Sequence, residues 1–439
     1  MTRNNDIDNR LVFVGTSDLS GVVRGKSFPA GDWEKRSRRG VGWTPTNVQI
    51  TCFDSISDSP FGSFGDLVLV PDADSRFVLE DGQRLDFALG DIRSLEGEPW
   101  DFCTRSLARR ALDAFHALTG ARVQAAFEHE FQLRDQPPRP GDAFGFKGFR
   151  DGQAWAEDYL DALQAAGCAP DTFMKEYGPG QYEITMKPAI GLAAADNAAV
   201  LRLLTHDVLQ RHGLAPSFAP ILDPDSVGNG LHVHFSFLDD ADAPLTHDAD
   251  DPHGMSRLTR HFIGGVLKYL DQILAILAPS EISYLRLTPH RWSAAYNNLG
   301  FRDREASVRI CPVTAQDPES VARQYNFEIR AADAAASPHL TLAALVFAGM
   351  QGVREEAEPP TPAQEDLSLL DPAALAARGF RRLPTTLGDA LAAFGRSQAV
   401  REWFGDDFVD VYVAHKEGEL AQLDGLDWPA KCARYAEVY

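Results

Sequence analysis

Ala125-Ala126-Phe127-Glu128-His129-Glu130-Phe131-Gln132-Leu133 places two glutamates two residues apart among apolar neighbours. Successive side chains of a strand leave opposite faces, so Glu128 and Glu130 share one face and Phe127 and Phe131 the other. The same kind of pairing recurs further along the chain. In Met174–Met186, MKEYGPGQYEITM, Glu176 precedes a Gly-Pro-Gly turn, and Gln181 and Glu183 follow it at alternate positions. In Val227–Phe237, VGNGLHVHFSF, His232, His234 and Ser236 fall on one face. Arg304 and Arg309 bracket a short strand in Arg302–Ile310, RDREASVRI, and Glu328 and Arg330 share a face in Tyr325–Asp333, YNFEIRAAD.

A solvated strand side explains any one of these segments, since antiparallel sheets commonly show one face to water. Five together resist that explanation, because the positions are almost wholly Glu, His and Arg, without the Lys, Thr and Ser that a wet face mixes in. If the faces converge, unpaired charges in a partly dry cavity are very costly. Divalent cations on the carboxylates and phosphates on the arginines would offset that cost. Oxygen-rich ligation with one imidazole suits Mg²⁺ or Mn²⁺ better than zinc. The pattern predicts metal-assisted phosphoryl transfer. The sequence contains no G-x-x-x-x-G-K-[ST] loop and no convincing G-x-G-x-x-G segment, so neither glycine-loop nucleotide site is expected.

Around these segments, residues 1 to about 100 carry short apolar runs (LVFV, VQITCF, DLVLVPD) separated by Gly, Pro and Asp, a strand-and-turn texture. From Thr104, read as a helix cap, apolar residues recur at three- and four-residue spacing up to Gly120. Further helices are expected at about 153–166, 195–212, 256–278, 338–354 and 386–403. Strands are expected near 122–133, 173–186, 231–238, 301–311 and 324–331. The prediction is an α+β chain of two unequal domains, residues 1–100 and 101–439.

The 439 residues carry 42 basic and 63 acidic side chains, a formal charge of -21 that argues against a nucleic-acid or anionic-membrane surface. Five scattered cysteines without a C-x-x-C pair fit a reducing compartment. The polar start, MTRNNDIDNR, lacks an apolar signal core, and no stretch is apolar enough to span a membrane. A cytoplasmic protein is expected.

In this order, E-x-E, E-x-x-P-G-Q-x-E, G-N-G-x-H-x-H-x-S, R-L-x-P, R-x-R-x-x-S-x-R-I and E-x-R-x-x-D-x-x-A-x-P resemble the motifs of the glutamine synthetase superfamily. The resemblance covers nearly the whole chain. It implies a small N-terminal β-grasp domain and a large catalytic domain with a curved antiparallel sheet flanked by helices. By the same resemblance, Glu130, Glu176 and Glu183 hold a metal near glutamate, and Glu128, His232 and Glu328 a second near the ATP phosphates. Arg304 and Arg309 stabilise the transferring phosphoryl group. Arg286, Arg330 and the Gly228 backbone hold glutamate, and His234 and Ser236 lie near the nucleotide. Asp54 resembles the aspartate that takes a proton from the attacking amine across a subunit boundary; the spacing around it differs by about two residues from the common pattern, which leaves Asp58 as the alternative. The implied assembly is a homo-oligomer, a double-ring dodecamer in the family's common form.

Two departures from the family pattern stand out. Arg286-Leu287-Thr288-Pro289-His290-Arg291-Trp292 puts Trp292 where glutamine synthetases carry the glutamate that closes over ammonium. An indole there removes a counter-charge and offers an apolar, π-rich wall suited to the carbon part of an organic amine. Asn326 stands where the family often has a basic residue. The expected function is ATP-dependent ligation of glutamate to an amine other than ammonia, by way of γ-glutamyl phosphate. An ammonia-using glutamine synthetase and a catalytically silent relative are the alternatives.

Overall fold

Leu11–Ser17 buries Val12 and Val14 completely. It pairs antiparallel with Val23–Pro29 and parallel with Leu85–Arg93. A computed structural model describes residues 9–58, 60–80 and 82–439; the polar start, residues 1–8, lies outside the described residues. The N-terminal sheet continues from Leu85–Arg93 to Leu67–Pro71 and Val41–Trp43, and Phe77–Leu79 also joins Leu85–Arg93. Phe28, Trp43, Leu69 and Ile92 close its small core. This is the expected small N-terminal β-domain.

The second sheet is built outward from Arg122–Leu133. On one side lie Leu231–Leu238, Phe327–Ile329, Val308–Ile310 and Leu299–Phe301; on the other lie Gln181–Met186 and Pro170–Lys175. Ala189–Ile190 and Pro216–Ser217 pair with the two ends of the central strand. Strict alternation sends Val123, Ala125 and Phe127 into an apolar core with Val233, Phe235 and Phe237. Over that face pack Thr104–Thr119, Arg257–Leu277 and Pro338–Glu355. The last two cross where Gly265 meets Gly352: a Cβ on Gly265 would stand 2.6 Å from the Gly352 Cα, so the crossing needs a bare backbone on both helices.

Three expectations are corrected. Thr104 is the first helical residue and not the cap; its hydroxyl donates to the Ser17 carbonyl at 2.6 Å, tying the helix to the N-terminal sheet. The large sheet is mixed, because Leu299–Phe301 and Val308–Ile310 run parallel. Each strand has only three residues, so the six residues between them, 302–307, are enough to carry the chain back to a parallel start without the helical crossover that longer parallel strands require. The helix expected over 386–403 is two, Leu387–Arg396 and Gln398–Phe404, because the Ser397 side chain accepts the Val400 N–H and starts a new helix.

Arg105 joins the N-terminal sheet to the helices of the large domain. Its guanidinium, almost wholly buried, bonds Asp72 at 2.6 Å and Asp91 at 2.9 Å from the N-terminal segment, and Asp196 at 2.9 Å from the helix Leu192–Arg211. His339 reaches the same Asp196 at 2.8 Å. Removing one partner of a buried ionic cluster leaves uncompensated charge, which typically costs about 3–5 kcal/mol. Arg105→Met is therefore expected to lower the thermal midpoint by several degrees and to expose the N-terminal segment first, as read by hydrogen exchange of Leu85–Arg93.

Candidate active site

Strand register builds the site. His232 stands opposite Glu128 and Glu130 opposite Glu183, while Glu328 lies between His234 and Arg309 on its two neighbours. One row across the sheet thus collects carboxylates, imidazoles and guanidinium groups on the face away from the helices. Above that face opens a cavity of about 810 Å³. Its lining includes every sequence-predicted site residue except Asp54.

Glu128, His232 and Glu328 bring their ligand atoms within 4.8 Å of one another, and Glu130, Glu183 and His232 do likewise. His232 Nδ1 lies 2.8 Å from Glu128 and 3.5 Å from Glu328, whereas its buried Nε2 has no partner. Glu176 lines the same cavity but stands outside both groups. It sits on the turn after its strand and accepts the Tyr177 N–H at 3.0 Å.

The two carboxylate groups differ in electrostatics. Burial alone would raise Glu328, but Arg330 and the two imidazoles outweigh it and hold that carboxyl down to about 2. Arg309 pairs with Glu328 at 2.7 Å and Arg330 pairs with its other oxygen. Burial likewise works against the Glu128 carboxylate, yet hydrogen bonds with His232 and His234 keep its pKa well below the usual value. Glu183 has no such partner: burial, then the charges of Glu128, Glu130 and Glu176, push it up to about 10. Burial and Glu130 push Glu176 up to about 7. Three crowded carboxylates short of positive charge, beside an unpartnered imidazole nitrogen, fit a divalent cation.

Arg286 is buried, with its Nη2 donating to the Arg330 carbonyl at 3.4 Å and its Nη1 unpartnered. Arg330 also donates to the carbonyls of Arg304 at 2.9 Å and Trp292 at 3.2 Å, so one side chain ties three parts of the site together. Ser236 donates to Gln124 at 3.0 Å, and His234 Nδ1 lies 2.9 Å from Asn326 Oδ1. Asp54 is elsewhere: its exposed carboxylate pairs with Arg24 at 3.0 Å, outside the cavity of its own chain. Asp58 is exposed as well.

Sequence reading missed several residues that shape the site. Gly230 is one: a Cβ there would stand 2.7 Å from both Arg286 Nη2 and His232 Nε2. The second glycine of G-N-G is thus what lets two functional side chains meet over the backbone. Arg323, three residues before Asn326, lines the cavity and brings a basic group to that region. Tyr177 stands edge-on to Trp292, with ring centroids 5.1 Å apart. Its place in the turn beside Glu176 was the available signal.

The glutamine synthetase catalytic-domain model matches residues 101–435, and the glutamine synthetase N-terminal domain model matches residues 3–100. The chain belongs to the glutamine synthetase family. Among curated relatives, the γ-glutamylpolyamine synthetase GlnA3 of Streptomyces coelicolor is 34% identical, over 96% of this chain and 92% of that protein. Type-1 glutamine synthetase 1 of Dictyostelium discoideum is 26% identical, over 96% of this chain and 88% of its own length. A crystal structure described as a novel glutamine synthase homolog is 40% identical, covers both chains fully and superposes with a TM-score of 0.89. The expected class, a ligase of the glutamate–amine branch of this family, agrees with these matches. Among the described residues no helix is long and apolar enough to cross a membrane.

Two outcomes are expected from this geometry. Metal ligands must be deprotonated, so at pH 7 binding of Mg²⁺ should expel about one proton or more per site, from Glu183 and in part from Glu176. Mg²⁺ affinity should therefore rise with pH from about 6 upward. Calorimetry in buffers of different ionisation enthalpy reads the proton count. Gly230→Ala should weaken both glutamate and metal binding at least roughly tenfold, with an unchanged far-ultraviolet circular dichroism spectrum.

Proposed function

We propose that this enzyme joins a primary amine other than ammonia to the γ-carboxylate of L-glutamate, giving a γ-glutamyl amide, ADP and phosphate. The carrying observation is Trp292, whose indole lines the cavity where an ammonia-using relative would need a carboxylate. Its backbone is held on both sides, by Arg330 at the carbonyl and by Glu305 at the N–H, 3.3 Å away. The high likeness to a γ-glutamylpolyamine synthetase supports the same reading.

In this reading Arg286, Arg330 and the Gly228 backbone orient glutamate. Arg304 and Arg309 hold the γ-phosphoryl group in line with the glutamate oxygen, while His234 and Ser236 lie along the nucleotide. Two or more Mg²⁺ or Mn²⁺ ions on Glu130, Glu176 and Glu183 and on Glu128, His232 and Glu328 supply charge neutralisation when bound. A glutamate oxygen takes the phosphoryl group and ADP departs. The amine nitrogen then bonds to the acyl carbon, phosphate leaves, and the ammonium proton passes to a carboxylate. That carboxylate is Asp54 of a neighbouring subunit, since Asp54 faces solvent in its own chain. The proposal includes a homo-oligomer with sites between subunits, a dodecamer by family form, in a reducing cytoplasm where five buried cysteines stay free.

The deciding measurement is ADP release with glutamate and a panel of amines. An alkylamine should exceed ammonia in kcat/KM by about tenfold or more, as burial of two or three methylenes at ~0.8 kcal/mol each allows. Trp292→Glu should shift the ratio back toward ammonia. If ammonia is used better than every amine, the chain is a glutamine synthetase in the strict sense. A second test concerns assembly: Asp54→Ala and Arg304→Ala chains, each inactive, should recover part of the activity when co-assembled, because some boundaries then pair two intact residues. Verified mixed oligomers without recovery would remove Asp54 from the shared site.

A further inference from the structure

Three aromatic side chains enter the cavity from three separate segments: Phe144, Tyr177 and Trp292. Each leaves more than half its surface exposed: 60% for Phe144, 54% for Tyr177 and 52% for Trp292. Exposure of three large rings in one place is unfavourable unless something covers them. Backbone conformation makes the point stronger. Phe144 and Trp292 lie at φ of 52° and 53°, the left-handed region, which is rare for bulky residues and costs energy wherever it occurs. Both segments are nonetheless held there. The Phe144 N–H donates to the Lys175 carbonyl at 3.2 Å, and the Trp292 N–H and carbonyl are both bonded.

Lys175 links two of the three rings. Its buried ammonium donates to the carbonyls of Glu176 at 2.6 Å and Gly178 at 2.8 Å, closing the turn that carries Tyr177. Its own carbonyl receives the Phe144 N–H. A charged side chain spent on two turn carbonyls is a device for fixing a surface, and the surface it fixes is aromatic.

The charges of the cavity then select the ligand. Its carboxylates are Glu128, Glu130, Glu176, Glu183, Glu328 and Asp171. The first five are the proposed metal ligands, and Asp171 is the second residue of the Pro170–Lys175 strand, five residues before Glu176. Beside Trp292 the Glu305 carboxylate spends its two oxygens on the N–H groups of Trp292 at 3.3 Å and His290 at 3.2 Å, so it is already engaged and not free for a second ammonium. The cations that line the same cavity include Arg291 and Arg304. Resting on the ligase reading above, we infer that Phe144, Tyr177 and Trp292 form the acceptor subsite, and that the acceptor is a primary monoamine bearing an alkyl or arylalkyl group, not a diamine or polyamine. The rings supply area and edge-to-face partners for a hydrocarbon tail. A second cationic centre among the rings would have to lose its water beside a carboxylate whose oxygens are already held by backbone N–H groups.

The test uses the full-length enzyme with Mg²⁺, ATP and glutamate, and the matched acceptors n-butylamine and 1,4-diaminobutane, with methylamine and benzylamine alongside. The parent should favour n-butylamine over 1,4-diaminobutane by at least tenfold in kcat/KM. Tyr177→Ala and Phe144→Ala should each reduce the benzylamine-to-methylamine ratio of kcat/KM by about tenfold, and Tyr177→Phe should retain it. A ratio of two substrates cancels any loss of folded enzyme, so unstable variants still report. Preference for 1,4-diaminobutane, or a ratio that neither alanine variant changes, overturns the inference while leaving the amine-ligase reading intact. Ammonia used better than every amine overturns the ligase reading itself.

Discussion

Everything at this site follows from one electrostatic problem: four glutamates and two histidines on one face of a sheet, with a fifth glutamate on the adjoining turn, under a cavity with too little positive charge nearby. Coulomb repulsion at such separations is strong, and partial burial removes the water that would screen it. The molecule resolves half of the problem internally. Arg309 and Arg330 neutralise Glu328, and the two imidazoles attend Glu128. The other half is left uncompensated, and burial with the neighbouring charges raises the carboxyls of Glu176 and Glu183. A cation is the natural complement of that half.

The scaffold exists to hold this arrangement against its own repulsion. Alternation on Arg122–Leu133 puts Phe127 and Ala125 into the helix-covered core and Glu128 and Glu130 into the cavity, so a slip of one residue would exchange the two sets. Packing of the glycine-paired helices behind the sheet and the Arg105 cluster at the N-terminal sheet make such a slip costly. Left-handed backbone at Phe144 and Trp292 stands on the rim, where it presents rings to a ligand. Rigid charge below and an aromatic rim above divide the labour between phosphoryl transfer and choice of acceptor.

Much of this was legible in the chain. The spacing of Glu128 and Glu130, and of His232 and His234, reads as one face because strand periodicity is local and strict. Helices with unbroken apolar stripes, such as Arg257–Leu277, were visible for the same reason. The helix Asp406–Ala421 was not anticipated, because its buried side includes His415 and a Lys416–Glu419 pair at 2.9 Å, which interrupt the apolar pattern. The break at Ser397 was missed because a cap competes with helix continuation over a single residue.

Local pattern by itself determined the strands, the polar faces and the set of residue types that point to metals and phosphate. Order of motifs along the chain tied these to a family. Tertiary structure alone decided which faces meet: that His232 is shared between two carboxylate groups, that Gly230 is the gap through which Arg286 and His232 approach, and that Asp54 stands apart from the cavity of its own chain. It also decided that Tyr177 meets Trp292, residues 115 positions apart in the sequence by simple subtraction of their numbers. Periodicity is a property of neighbours along the backbone, whereas contact across a sheet depends on register and loop conformation, which are set only when the whole core closes.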